Sequence, residues 1–191
     1  MDVAVAATAL FALWPLLIAL AGLVRLTSPG PILFRQRRLG LGGEVFWCYK
    51  FRTMSADAEH RLRSDAELRS RFQGSFKLER DPRLTRFGRF LRKTSLDELP
   101  QLFQVLTGHM SLIGPRPIVP EELAKYGEHG EKLLTVKPGL GGYWQANRTG
   151  ATTYEERVRM DLRYIDERSL LLDVWLILQT FGNAVARRGA C

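Results

Sequence analysis

The chain has 191 residues, 46% of them hydrophobic and 25% charged, enough for one domain with a real core and incompatible with a disordered chain. Its formal net charge of +8 favours anionic partners such as nucleotides, nucleic acid or an acidic membrane surface. Cys48 and Cys191 are far apart, and His60, His109 and His129 are scattered, which argues against a disulfide framework and a His/Cys zinc site.

The N-terminus is dominated by an uncharged apolar run from Val3 to Val24. As a helix it is about 33 Å long, against a bilayer core of roughly 30 Å. Pro15 removes one backbone hydrogen bond and sets its ring against the carbonyl of Phe11, so a kink is expected there. Three readings stay open: a transmembrane span, a kinked re-entrant hairpin, and a cleaved signal peptide. The last is disfavoured because the charged leading region is missing, although Ala19-Leu20-Ala21 resembles a cleavage site. Arg25, Arg35, Arg37 and Arg38 put the following chain on the cytoplasmic side.

Thr27-Ser28-Pro29-Gly30-Pro31 ends the apolar helix. Ile32-Leu33-Phe34 and Val45-Phe46-Trp47-Cys48-Tyr49 read as strands around the turn Gly40-Leu41-Gly42-Gly43. Residues 55–72 read as a charged surface helix. Leu84, Phe87, Phe90 and Leu91 recur at helical spacing, and residues 97–107 read as a helix whose first turn carries Asp97 and Glu98. Pro100 is tolerated only because it lies near that start. Gly114-Pro115-Arg116-Pro117 and Pro138-Gly139-Leu140-Gly141-Gly142 read as rigid or glycine-rich loops. Residues 154–168 form a charged helix. Leu170 to Phe181 is too short to span, and with Arg187 and Arg188 after it suits either the membrane interface or ordinary packing.

The chemistry concentrates at Ser95-Leu96-Asp97-Glu98-Leu99-Pro100-Gln101, preceded by Arg80, Arg83, Arg86, Arg89, Arg92 and Lys93. An Asp-Glu pair at a helix start is by itself a cap. Surrounded by cations, both acids are expected to be ionised near neutral pH, able to attack phosphorus or to hold Mg²⁺. Arg116, fixed between two prolines, suits a bidentate phosphate contact. Lys50 and Arg52 share one strand face and read either as a phosphate clamp or as a polar face. The glycines at 139–142 beside Tyr143-Trp144-Gln145 suit a base or sugar pocket but match no nucleotide fingerprint.

These pieces, in this order, resemble the bacterial sugar transferases, the monotopic polyprenyl-phosphate phosphoglycosyl transferases. The matching stretches are Ser28 to Gln36, Tyr49 to Met54, Arg83 to Gln101, Met110 to Pro117, Lys137-Pro138-Gly139, and Tyr164 with Ser169 to Asp173. The resemblance implies transfer of a sugar-1-phosphate from a UDP-sugar to undecaprenyl (polyprenyl) phosphate with release of UMP. It also implies Mg²⁺ and a covalent aspartyl-phosphosugar intermediate. Carried over, Asp97 is the nucleophile and Glu98 its partner, both counted as metal ligands. Lys50, Arg52, Arg92, Arg116, Arg148 and Asp173 are the phosphate- and substrate-binding candidates. Pro15 takes the place where the family's re-entrant helix breaks.

There are departures. Trp14 stands where the family has Ser, His109 where it commonly has an acid, and Asn147-Arg148-Thr149-Gly150 replaces its Gly-Arg pattern. The cations before the helix and the N-terminal helical bundle of larger members are lacking.

The expected fold is therefore α+β and mostly helical. Residues 1–26 form a Pro-broken re-entrant membrane helix, and 27–191 a cytoplasmic catalytic domain with a short β-hairpin and interfacial amphipathic helices. The implied setting is the cytoplasmic face of the bacterial inner membrane. The implied partners are donor, acceptor and membrane lipids, without nucleic acid, and with a homodimer left open. Two rivals remain: a membrane-anchored Mg²⁺-dependent phosphohydrolase, and a basic nucleic-acid-binding module, which predicts strong salt-sensitive affinity.

Overall fold

The apolar N-terminal run forms one helix, α1 (Asp2–Thr27), with Asp2 in its first turn and Arg25 in its last, each complementing the helix dipole. The helix is continuous across Pro15. It stops at Ser28, whose backbone is extended, and Gly30 follows at φ 111°, a conformation that suits only glycine. A computed structural model describes residues 1–75, 81–147 and 152–185.

The hairpin expected around residues 40–43 is present but longer than its apolar signals. β1 (Leu33–Leu39) pairs antiparallel with β2 (Val45–Phe51), with Phe34 opposite Lys50 and Arg38 opposite Phe46. β1 extends through Arg35-Gln36-Arg37-Arg38 because Phe46, Cys48 and Phe51 supply the buried positions while the arginines line partly exposed ones. The charged stretch after the hairpin is two short helices, α2 (Ala58–Ser64) and α3 (Ala66–Ser75), separated at Asp65.

α4 (Arg86–Thr94) starts at Thr85, whose hydroxyl accepts from the Gly88 N–H. It ends at Ser95, the one described non-glycine residue in the left-handed region, at φ 56°. The single helix expected over 97–107 is instead a 3₁₀ turn, Leu96–Gln101, followed by α5 (Leu102–Leu106). Pro100 has no N–H to give an α-helical bond, so the tighter winding takes over.

β3 (Ser111–Ile113) pairs parallel with β4 (Gly139–Gly141), so part of the expected glycine loop is a strand. Its glycines are required by contact: a Cβ on Gly139 would lie 2.0 Å from the Gly114 nitrogen, and one on Gly142 2.2 Å from the Gly114 oxygen. Between these strands run a 3₁₀ segment, Pro120–His129, and α6 (Gly130–Leu133). After β4 come α7 (Tyr143–Asn147), α8 (Tyr154–Glu167) and α9 (Leu170–Val185). α8 opens with a capping box between Thr153 and Glu156.

α1 does not stand apart. Ala6, Leu10, Leu17, Leu20 and Val24 share one core with Phe51, Leu91, Leu102, Val105, Met110 and Leu176. Its N-terminal end is tied as well, since the Ser111 hydroxyl donates to the Asp2 carboxylate at 2.6 Å. The other face of α1 leaves Phe11, Trp14, Ile18 and Leu26 exposed, and α9 exposes Leu170, Leu171, Val174, Trp175 and Leu178. A second, smaller core gathers Leu39, Ile118, Tyr126, Leu133 and Val158.

Candidate active site

Three elements converge on the Asp-Glu pair. The left-handed turn at Ser95 is what turns Asp97 toward Arg92. Had α4 continued, side chains five residues apart would point about 140° away from each other. Thr53, just after β2, stitches α4 in place. Its carbonyl accepts from the Thr85 N–H at 3.0 Å, and its hydroxyl accepts from Arg92 Nε at 3.2 Å. Gly88 permits this approach, because a Cβ there would lie 1.9 Å from the Thr53 oxygen.

β2 delivers Lys50, and the loop after β3 delivers Arg116. Both bind the same oxygen of Glu98: Lys50 Nζ donates to Oε1 at 2.6 Å and Arg116 donates to it at 3.0 Å. These are charge-assisted bonds in a poorly solvated corner. They hold the Glu98 carboxyl far below the usual carboxylate range, with Arg116 and then Lys50 overcoming the cost of burial.

Asp97 differs. It is only 6% exposed, and among the described residues no side chain hydrogen-bonds to its carboxylate. Burial first, and the Glu98 charge second, push its pKa up to about 6, against the pull of Lys50, Arg92 and Arg116. The expectation that neighbouring cations depress both acids is met at Glu98 and overturned at Asp97, where desolvation is the larger effect. The pair is thereby split: one carboxylate is committed to two cations, the other is available.

The remaining candidates are distributed as follows. Arg92 lies within electrostatic reach of Asp97, which raises its pKa against the lowering by burial. Arg52 turns away from the pair: its guanidinium donates to the Ser28 carbonyl at 2.6 Å and fastens the α1–β1 connection. Asp173 sits at the start of α9, accepting from the Tyr164 hydroxyl at 2.8 Å; burial, with the charge of Asp2, raises its pKa against the lowering by that hydrogen bond. Arg148 lies outside the described residues, as do Arg187 and Arg188. Pro15 lies within α1.

No set of three His, Cys, Asp or Glu side chains converges on a point among the described residues. A protein-made metal cage is therefore not built here. Mg²⁺ fits in the other way it is commonly held, by one or two carboxylates with substrate phosphates completing the shell. Asp97 and Glu98 are the carboxylates that could hold it in that way.

Residues unmarked by sequence reasoning lie beneath this corner: Arg38, Glu122, Arg157 and Asp161, with Tyr126 and Tyr154. The signal that could have found them is in α8, where Arg157 and Asp161 share the inward face with Val158. A charged pair on a core-facing stripe is expensive unless it has partners.

A family model described as bacterial sugar transferase matches residues 1–187. The chain is 42% identical over 165 residues to the undecaprenyl-phosphate galactose phosphotransferase of Salmonella typhimurium, covering 84% of this chain and 35% of that protein. It is 41% identical over 201 residues to the UDP-glucose:undecaprenyl-phosphate glucose-1-phosphate transferase of Xanthomonas campestris pv. campestris, covering 99% and 39%. With the exopolysaccharide production protein ExoY of Sinorhizobium fredii it is 39% identical over 193 residues, covering 99% and 85%. The chain thus spans about two fifths of the length of most of these curated relatives and most of the length of ExoY.

Proposed function

We propose that this chain, which belongs to the bacterial sugar transferase family, moves a sugar-1-phosphate from a UDP-sugar to undecaprenyl phosphate and releases UMP. The observation that carries the reading is the division of the acidic pair. Glu98 is neutralised by Lys50 and Arg116, while Asp97 has no side-chain hydrogen-bond partner among the described residues. A carboxylate left unpartnered in a desolvated, cationic corner is a competent nucleophile toward phosphorus.

In the first half-reaction an Asp97 oxygen attacks the β-phosphorus of the donor. The bond between that phosphorus and the bridging oxygen breaks, UMP leaves with the electron pair, and the sugar phosphate stays on Asp97 as an acyl phosphate. In the second, an oxygen of undecaprenyl phosphate attacks the same phosphorus. The acyl phosphate bond breaks, and Asp97 returns as a carboxylate. Arg92 and Arg116 balance charge on the transferring group, and Lys50 keeps Glu98 ionised and fixed beside it. Asp97 and Glu98 would hold Mg²⁺, which when bound would supply charge neutralisation on the diphosphate.

One acceptor is a lipid, so the site has to work at a bilayer surface. Two features support a monotopic attachment to the cytoplasmic face of the inner membrane. Both ends of α1 are held by the same domain, through Asp2–Ser111 at one end and the buried Val24 at the other. A helix tied in this way presents its apolar face, with Phe11, Trp14 and Ile18, without sending one end across, although it runs unbroken through Pro15. The exposed apolar stripe of α9 supplies a second interfacial contact.

The test is Asp97→Asn in an assay that follows UMP release from a panel of UDP-sugars. Loss of release is expected, and turnover near wild type would remove Asp97 from the nucleophile role. Accessibility of single cysteines placed at the two ends of α1 tests the attachment: labelling from one side supports it, and labelling of the two ends from opposite sides overturns it.

A further inference from the structure

Arg116 is held in place by charges that never reach Glu98. Two carboxylates and Arg157 are buried, with Arg38 half-buried beside them, beneath the loop Gly114-Pro115-Arg116-Pro117. Glu122, 5% exposed, pairs with Arg157 at 3.2 Å and with Arg38 at 3.6 Å, and accepts from the Tyr154 hydroxyl at 3.1 Å. Asp161, 1% exposed, accepts from the Tyr126 hydroxyl at 2.7 Å and pairs with Arg157 at 3.7 Å. The formal charges of the four sum to zero, and the phenols cap both acids. Burial of four ionised groups is costly and is not explained by stability alone, since well-packed apolar side chains of similar volume often do as well or better.

What the quartet touches explains it. Arg38 donates to the Pro117 carbonyl at 2.8 Å. The Arg116 backbone N–H faces the Asp161 carboxylate and helps to offset its burial. The Arg157 guanidinium stacks on the Trp144 ring, 5.2 Å from its centroid, and the Arg116 guanidinium stacks on the same ring at 5.5 Å. The loop is pinned from its other side by the Gly139 N–H, which donates to the Pro115 carbonyl at 2.8 Å. Backbone and side chain of Arg116 are therefore fixed by separate contacts, while its Nη2 group reaches forward to Glu98.

The geometry points to Arg38, Glu122, Arg157 and Asp161 as positioning residues that set the direction of the Arg116 guanidinium through the Pro117 carbonyl, the Arg116 N–H and the Trp144 ring. None of the four is a catalytic residue. This inference rests on the proposed function for its consequence in turnover, but not for its geometry.

The experiment uses the full chain in lipid nanodiscs. Arg38→Ala, Asp161→Asn and Trp144→Leu are made alone and on an Arg116→Ala background, with UMP release as the readout. Each single variant is expected to lose about tenfold or more, and less than about twofold further when Arg116 is already gone, because residues that act through one group are non-additive. Equal losses on both backgrounds would overturn the positioning role. Where a variant loses its cooperative thermal transition, Tyr126→Phe, which removes one hydroxyl, takes its place in the same cycle. Amide hydrogen exchange gives a readout free of turnover. Asp161→Leu should speed exchange at Arg116 while Gly139 and the α8 amides stay protected, and unchanged exchange at Arg116 would sink the inference. If the wild-type chain releases UMP from no UDP-sugar, the functional reading fails and the exchange result alone decides the positioning.

Discussion

Two buried charge clusters lie on opposite sides of one loop, and they are finished differently. Behind the loop, every acid of the Arg38–Glu122–Arg157–Asp161 group has a phenol and at least one arginine. In front, Glu98 gives one oxygen to two cations, and Asp97, more deeply buried, has no side-chain hydrogen bond among the described residues. Saturation fixes geometry and removes reactivity, whereas an unpartnered buried carboxylate costs stability and keeps reactivity. The fold spends its hydrogen bonds on holding Arg116 and withholds them from Asp97.

The contrast is easiest to break at Asp97. Asp97→Asn should reduce UMP release by at least about 10³-fold, the scale on which loss of a covalent nucleophile acts. Behind the loop the damage should fall on stability: Glu122→Ala leaves Arg38 and Arg157 uncompensated and should cost about 3–5 kcal/mol in a denaturation experiment.

A pH series sharpens the comparison further. The pKa of Asp97 rises from 3.8 to about 6 on folding, so the folded state binds the proton more tightly than the unfolded chain does. Stability from this group is complete below about pH 4 and is lost as the pH climbs through 6. Asp97→Asn should therefore raise stability at pH 8, by on the order of 2 kcal/mol, and leave it unchanged at pH 4. UMP release by the wild type should fall as the pH drops below about 6, because the nucleophile is then protonated. At the small end, Lys132→Ala removes an exposed pair with Asp166, 2.7 Å apart, and should shift stability by less than about 0.5 kcal/mol.

The front cluster was largely legible in the sequence and the rear one was not. Asp97, Glu98, Lys50, Arg92 and Arg116 stand out because local context marks each of them: adjacent acids, a strand with alternating cations, an arginine between prolines. Arg52 carried the same local mark as Lys50, yet it serves the Ser28 carbonyl, since it lies past the end of β2 where the chain has turned toward α1. Glu122, Arg157 and Asp161 look like ordinary surface charges, and Arg38 like one more arginine of a basic strand. Apart from the pairing of Arg157 with Asp161 within α8, the ion pairs and phenol hydrogen bonds that join them span 32 or more positions of the chain, as from Tyr126 to Asp161, and Arg38 reaches on to Pro117. In the fold, the start of β1, most of β2 and the charged helix α8 were readable, while the 3₁₀ turn at Leu96–Gln101 was hidden inside the helix expected over 97–107.

The docking of α1 also bears on how such a chain is made. The residues that cover the inner face of α1, Leu91, Leu102, Val105 and Met110, follow 67 or more positions after Val24 and so are made after it. Until they arrive the whole circumference of the helix is apolar and uncovered. On the proposed attachment, the bilayer surface would be the place where the helix waits, and the membrane would act as a folding partner before it acts as a source of substrate. Deleting α1 would remove Ala6, Leu10, Leu17, Leu20 and Val24 from the core, and the remainder would be left with an apolar groove where α1 packs.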